Sequence, residues 1–442
     1  MQHVMWERAR LARDARFDGK FFIAVRTTGI YCRPICPAPT CKASNVRYYA
    51  TAAAATEAGF RPCLRCRPEA APGTPAWRGT PATVARALKL IDQSALDQGS
   101  VEQLSDRLGI GSRHLRRLFL KHLGATPVVV AQTRRVHFAK RLIDDTALPM
   151  TEIAFAAGFG SLRRFNATFR NLYGRSPIEL RKARTTTATE PGHYRFELSY
   201  RPPYDWASIV TFLGDRAIPG IETVTPQVYS RGIEVETIAG RISVRPLEHK
   251  AALELQVWFP KPEYLFTIVE KVRSLFDLGA DPVEIAAHLG RDEFLSAIVK
   301  KYPGLRVPGC WDDFELAVRA VLGQQVSVKA ATTLAGRMAE RFGVFRQESL
   351  ASAKLEELGV TSARAETIRS LARSLPDAWD NLTAIKGIGP WTEQYIAMRR
   401  GDPDAFPAKD LYLKPHAERA DDWRPWRAYA AMYIWKLSGE KQ

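Results

Sequence analysis

The chain has 442 residues, 46% of them hydrophobic and 25% charged, ordinary proportions for a globular protein. At ~150 residues per domain this suggests roughly three domains. No stretch approaches the ~20 consecutive apolar residues of a membrane span, and MQHVMWERAR lacks the apolar core of a secretory leader. Membrane, secreted and wholly disordered classes are therefore excluded, and a cytoplasmic location is expected. The formal net charge of +17 is uneven: residues 1–190 hold 31 Lys+Arg against 14 Asp+Glu, while residues 191–442 hold 33 against 33. A positive field confined to one part of the chain points to a polyanionic partner, most often nucleic acid.

In chain order, residues 1–70 are rich in Cys and Arg with short apolar runs such as FFIAVRTTGIYC. APGTPAWRGTPA (71–82) reads as a Pro/Gly linker. Residues 83–184 read as helical throughout, TTTATEPG (185–192) as a second linker, and residues 193–260 as strands, as in GIEVETIAGRISVRP. Residues 262–442 return to helical periodicity.

Residues 83–184 contain a near-repeat. FLKHLGATP (119–127) matches FRNLYGRSP (169–177) fifty residues later. VEQLSDRLG, IGS and RHLRRLFLKHLG precede or carry the first copy; MTEIAFAAG, FGS and LRRFNATFRNLYG the second. A helix, a tight turn near Gly and a second, basic helix make a helix-turn-helix, here in tandem. Two plain helical hairpins would show the same periodicity. They would not need Arg113, Arg116, Arg117, Arg163, Arg164 and Arg170 on the second helix of each pair. The pair resembles the AraC-type DNA-binding domain over about a hundred residues.

Five of the six cysteines fall between Cys32 and Cys66, too few for a disulfide scaffold and clustered as in a metal site. Cys32-x3-Cys36 and, 26 residues on, Cys63-x2-Cys66 form two close pairs separated by a loop. Four soft thiolates in this arrangement select one zinc ion. Spacing alone gives a structural site. The residues around it, FIAVRTTGIYCRPIC and AGFRPCLRC, resemble the N-terminal domain of the Ada family of alkylated-DNA sensors over about seventy residues. That resemblance implies that Cys32, Cys36, Cys63 and Cys66 bind zinc and that Cys32 also accepts a methyl group from a DNA methylphosphotriester. Cys41 reads as a spare thiol and Cys310 as a small buried residue. The Pro-Cys-His-Arg motif of a second Ada methyltransferase is missing, so repair of O6-methylguanine by thiol transfer is not expected.

YRPPYDW (200–206), FLGDRAIPGIE (212–222), the block 308–338 and IKGIGPWTEQY (385–395) resemble AlkA-type 3-methyladenine DNA glycosylases, from about residue 193 to the end. KGIGPWT reads as a helix-hairpin-helix turn in which Gly387 and Gly389 permit a tight bend and expose backbone N–H groups to a DNA phosphate. Thr392 is grouped with them as a DNA contact, with a bound monovalent cation as a possible companion. The resemblance makes Asp410 in AFPAKDLYL the catalytic carboxylate; a helix-capping Asp is the plainer reading. It also makes Tyr395 and Trp435, with Trp391 nearby, an aromatic pocket for a cationic base, although each could be core. Trp391 stands where related lyases carry a Lys, so no Schiff base is expected. No cysteine follows Cys310, so no iron–sulfur cluster is expected either.

Two features depart from the family. Gln325 stands where an apolar wedge is usual, and Gln costs more to desolvate. The stretch between Asp410 and WRPWRAYA (423–430) is short, leaving little room for the usual helices, and His416 within it reads as a surface residue.

The expected architecture is multidomain and mainly α with α+β parts. It comprises a zinc-thiolate α/β domain (1–72), a tandem helix-turn-helix (83–184), a TBP-like α+β domain with leading helices (193–304) and an all-α helix-hairpin-helix glycosylase domain (305–442). The expected function is excision of alkylated purines combined with methylphosphotriester sensing and transcription activation. Partners are then double-stranded and alkylated DNA, with RNA polymerase as a further one for an activator; no dimerisation element is visible, so a monomer is expected. A methylation-responsive regulator whose glycosylase half only binds DNA is the alternative, and pure repair without a defined operator is a third.

Overall fold

The computed structural model describes residues 2–72, 82–92, 95–97, 99–182, 190, 192–375, 379 and 381–439. Nearly all of the two expected linkers lie outside them. The chain folds into two compact units, 1–202 with 247–270, and 203–246 with 271–442.

The first unit opens with α1 (Gln2–Leu11), then β1 (Phe22–Val25), β2 (Ile30–Cys32), β3 (Val46–Tyr49), α2 (Ala52–Glu57) and β4 (Arg61–Pro62). The four strands form one sheet in the order β3-β1-β2-β4, antiparallel except for β2 with β4. Its two faces bury Phe22, Ala24 and Tyr31 on one side and Phe21 and Ile23, with Trp6 from α1, on the other. The period-2 alternation of FFIAV does this directly.

Helices follow: α3 (Ala82–Asp92), α4 (Val101–Arg107), α5 (Ser112–Leu123), α6 (Pro127–Asp145), α7 (Met150–Ala156), α8 (Leu162–Tyr173) and α9 (Pro177–Lys182). The pairs α4–α5 and α7–α8 are the two expected helix-turn-helix units. Their recognition helices bury Leu115, Phe119 and Leu123 and, fifty residues on, Phe165, Phe169 and Tyr173. That i, i+4, i+8 stripe is what turns the arginines outward. Each helix ends on a left-handed glycine, Gly124 and Gly174, where a residue with a Cβ would be strained. The 19-residue α6, started by Pro127 at its first position, joins the two units and was not singled out by the repeat. The strand β5 (His193–Ser199) also belongs to this first unit.

The second unit begins with α10 (Trp206–Gly214), a helix inside the stretch expected to be all strand. Asp205 caps it by accepting from the Ser208 N–H at 2.9 Å, and WASIVTFLG is too apolar for strand alternation to stand out. The meander β6 (Glu222–Val224), β7 (Tyr229–Val235) and β8 (Ile238–Pro246) is antiparallel throughout. The strand β9 (Ala252–Trp258) belongs again to the first unit, where it pairs antiparallel with β5, from His193 opposite Trp258 to Ser199 opposite Ala252. Helices α11 (Leu265–Leu275), α12 (Pro282–Leu289), α13 (Glu293–Lys301), α14 (Asp313–Leu322), α15 (Val328–Phe342), α16 (Gln347–Leu350), α17 (Ser362–Ser374), α18 (Pro390–Arg399) and α19 (Arg427–Gly439) complete the chain. The core of this unit centres on α14, whose residues from Phe314 to Leu322 are buried except Arg319, packed by α15 and α17. No helix among the described residues is long and apolar enough to cross a membrane.

Candidate functional site

Three sites emerge from these elements. In the first, β2 delivers Cys32, the turn after it Cys36, and the turn after β4 Cys63 and Cys66. The parallel β2–β4 pairing is what brings the two cysteine pairs together. The four sulfurs all lie within 4.8 Å of one another. A tetrahedral zinc with Zn–S of about 2.3 Å needs S···S distances of about 3.8 Å, so the donor set fits in both softness and spacing. Cys63 and Cys66 are buried, and Cys32 and Cys36 half-buried. Backbone N–H groups of Arg33 and Arg65 point at Cys66 and Cys63 Sγ, at 3.3 and 3.4 Å. Arg33 is itself buried and fixed by a bidentate pair with Asp18 and by the Cys66 carbonyl at 3.2 Å. Cys41 stands outside the cluster beside Arg10, as expected of a spare thiol.

The cluster is tied to the helices behind it. Tyr31, the residue before Cys32, is wholly buried, and its hydroxyl meets His137 Nε2 of α6 at 2.8 Å. Burial, with Arg141 adding repulsion, lowers the His137 pKa to about 4. Arg67 pairs with Glu69, Asp144 and Asp145, and the Thr51 hydroxyl donates to the Leu123 carbonyl at 2.8 Å. None of these contacts carries a motif, so sequence reading missed them.

In the second site, Arg113, Arg116, Arg117, Arg163, Arg164 and Arg170 are all exposed on α5 and α8. Arg116 lies 3.3 Å from Glu102, and Arg117 3.1 Å from His114 Nδ1. Arg113, Arg163, Arg164 and Arg170 make no ion pair among the described residues.

The third site lies at the hairpin between α17 and α18. Gly387 has φ of +96°, and a Cβ there would sit 2.1 Å from Thr367 Oγ1. Both backbone and packing therefore require glycine. Gly389 differs: it has ordinary extended geometry and caps α18, and the space where a Cβ would point is open. The N–H groups of both donate to nothing among the described residues. Thr392 is a correction. It is buried, and its hydroxyl accepts from Gln324 Nε2 at 3.1 Å, so it braces the hairpin from inside instead of facing DNA. Gln324 also donates to the Gly387 carbonyl at 2.9 Å, a role that only the GQQ doublet hints at. The carbonyls of Lys386 and Gly387 are engaged by Thr367 and Gln324, which leaves the expected monovalent cation unsupported. Gln325 stands exposed with φ of +54°.

Asp410 is brought to two of the three aromatics. Its Oδ1 accepts from Trp435 Nε1 at 2.9 Å and from the Tyr412 N–H at 3.0 Å, and its Oδ2 faces Trp391 Nε1 at 3.3 Å. Trp391 stacks on Tyr395 at 5.3 Å and 6°, and Trp435 lies 6.4 Å from Tyr395. The three form a half-buried aromatic face against the carboxylate. Arg399 Nη1 donates to the Tyr395 hydroxyl at 2.9 Å, with its remaining donors on the Pro308 and Gly309 carbonyls. Burial raises the Tyr395 phenol, but Arg399, Arg216 and Arg319 outweigh it and hold it below the ordinary tyrosine value.

The short stretch after Asp410 is filled. A 3-10 helix, Lys414–Trp423, buries Trp423, whose Nε1 donates to Asp292 at 2.9 Å. His416 is not a plain surface residue: it is half-buried and stacks on Phe294 at 4.3 Å. Cys310 is half-buried against the α14 core.

A thiolate cluster, paired helix-turn-helix units and a helix-hairpin-helix carboxylate pocket on one chain define a DNA-repair and transcription-regulator class of protein. Models of known families match accordingly: the metal binding domain of Ada over 5–69, a helix-turn-helix domain over 104–183, the AlkA N-terminal domain over 195–312 and the HhH-GPD superfamily of base excision DNA repair proteins over 318–434. The chain is 41% identical, over 97% of its length and 95% of the relative's, to a probable bifunctional transcriptional activator/DNA repair enzyme AlkA of Mycobacterium tuberculosis. It belongs to that family. The similarity divides between two Escherichia coli proteins: DNA-3-methyladenine glycosylase 2, 32% identical over 55% of this chain and 98% of that one, and the bifunctional activator/repair enzyme Ada, 42% identical over 31% and 36%.

Proposed function

We propose that this protein excises alkylated purines of the 3-methyladenine type from DNA and senses DNA methylphosphotriesters through Cys32, coupling the second activity to transcription. The modules are 1–72, 83–184, 193–304 and 305–442. The observation that carries the glycosylase reading is the Asp410 carboxylate, oriented by two indole N–H groups beside Tyr395.

The chemistry follows from these groups. An N-alkylated purine is cationic, so its N-glycosidic bond breaks with the electron pair leaving on the base. The nucleotide leaves the stack, and its cationic base meets the faces of Tyr395, Trp391 and Trp435. Asp410 then stabilises the oxocarbenium-like sugar and orients the water that completes hydrolysis. The free amides of Gly387 and Gly389 hold a neighbouring phosphate without a lysine patch. Gln325, exposed between α14 and α15, faces the duplex where the family carries its wedge.

At the sensor, Cys32, Cys36, Cys63 and Cys66 would hold one Zn²⁺, whose charge would keep their sulfurs deprotonated. Cys32 Sγ attacks the methyl carbon, the carbon–oxygen bond breaks, and the phosphate leaves as an anionic diester. The thioether product is not displaced by thiolates, so each molecule acts once.

The glycosylase reading is tested by base release from methylated duplex DNA, identified by mass spectrometry. Wild type is expected to release 3-methyladenine, and Asp410→Asn to lose it by about 100-fold or more. No release by folded, DNA-binding wild type would leave the regulator alternative in its place. The filled Lys414–Trp423 segment and the intact indole–carboxylate contacts favour the enzyme.

A further inference from the structure

The first unit holds a cavity of about 440 Å³, within the range of small-molecule sites. Its lining comes from β2 and α2 on one side and from α6 and α8 on the other. An occupant therefore touches both the strand that leads to Cys32 and the second recognition helix. Tyr31 and His137, joined at 2.8 Å, contribute to the wall, and burial keeps that imidazole neutral. The exposed Glu57 is the one charged side chain among the described lining residues, and no Lys or Arg reaches the cavity. Thr133 in the lining is 8% exposed, and its hydroxyl has no hydrogen-bond partner among the described residues. Two exposed primary amides, Gln132 of α6 and Asn171 of α8, also line the space and make no hydrogen bond among the described residues. Val129, Val136 and Leu172 add an apolar surface.

A nucleotide or a phosphate needs cationic donors, which this lining lacks. It suits a neutral molecule with one hydrogen-bonding edge and one apolar edge. A free N-alkylated purine is such a molecule: cationic in DNA, it becomes neutral when the glycosidic electron pair leaves with it. Primary amides pair with the amino–N7 edge of adenine, and alkylation at N3 leaves that edge intact. The added methyl group matches the valine and leucine side chains.

We propose that this cavity binds the free alkylated purine that excision releases, giving the sensor and helix-turn-helix unit a readout of base damage beside its readout of phosphate damage. The source of the base rests on the glycosylase reading; the site does not, and the test separates the two. The full zinc-loaded chain is dialysed to equilibrium against radiolabelled 3-methyladenine. Wild type should take up two molecules, one against Tyr395 and one in this cavity, and folded Trp435→Ala should keep the latter. Thr168→Trp, which sets an indole into the cavity from α8, should remove it. Gln132→Ala with Asn171→Ala, both at exposed positions, should weaken it by about 10-fold. Adenine, which lacks the methyl group, should bind here about 10-fold more weakly. Uptake of only one molecule by wild type that Trp435→Ala abolishes, retention undiminished by Thr168→Trp and by the double alanine variant, or adenine bound as tightly as its methylated form overturns the proposal. Because the base is supplied free, failure of base release alone counts against the glycosylase reading and leaves the binding result standing.

Discussion

Asp410 owes its orientation to three donors, two of them indoles on different helices, α18 and α19. The two indoles come in addition to the Tyr412 N–H that a capping Asp would use, and they support the proposed catalytic reading. Gly387 shows the same dependence on tertiary neighbours. Its φ of +96° is one reason for glycine, and the Thr367 hydroxyl that would collide with a Cβ is the second. Gly387→Ala should therefore destabilise the second unit by about 2 kcal/mol or more and loosen duplex binding. Gly389→Ala, where the space is open, should fold normally. Chemical denaturation and anisotropy on the two variants side by side check this.

The recognition helices α5 and α8 are repeats in packing but not in partnership. Arg116 and Arg117 of α5 have neighbours at hand, whereas Arg163 and Arg164 of α8 have no ion pair among the described residues to give up. Replacing Arg163 and Arg164 together by Ala should weaken DNA binding across sequences and lower the slope of log K against log salt by about 2. An unchanged slope would place α8 off the phosphates. At α6, the lowered His137 pKa gives a pH dependence whose sign is fixed. Unfolded His takes up its proton at about 6.5, whereas folded His137 does so only at about 4. The stability it contributes is complete above the unfolded value and lost as pH falls from there towards 4, by no more than about 3 kcal/mol. Melting wild type and His137→Gln between pH 7.5 and 5 should show the steeper loss in wild type.

Across the whole molecule, the proposed reading has DNA gripped by two kinds of force. The first 190 residues carry all of the net charge of +17, and the remainder carries none. Binding through the sensor and helix-turn-helix should thus depend steeply on salt, while the hairpin relies on oriented amides. On the proposed reading, methyl transfer to Cys32 would exchange one thiolate for a neutral thioether and make the cluster less negative. Affinity for DNA should then rise after exposure to methylphosphotriesters, as read by gel shift of the same preparation before and after; equal affinity would remove the charge switch. The Tyr31–His137 hydrogen bond and the Arg67 network show that the cysteine cluster is seated on α6 and not merely tethered to it.

Periodicity, repeat and cysteine spacing were local properties, and the sequence by itself determined what depends on them: the zinc ligands, the tandem helix-turn-helix with its outward arginines, the mainly helical class and the hairpin. Motif resemblances placed Asp410, Tyr395, Trp391 and Trp435 as candidates. They could not say that two indoles would meet one carboxylate, because the indoles stand 19 and 25 positions from it and share no pattern. They misjudged Thr392, His416 and α10, since burial and stacking are decided by what packs from elsewhere in the chain. Whether the short segment after Asp410 left a gap was likewise a question of volume. Only the tertiary structure, by setting Trp423 into that space and tying it to Asp292, decided it.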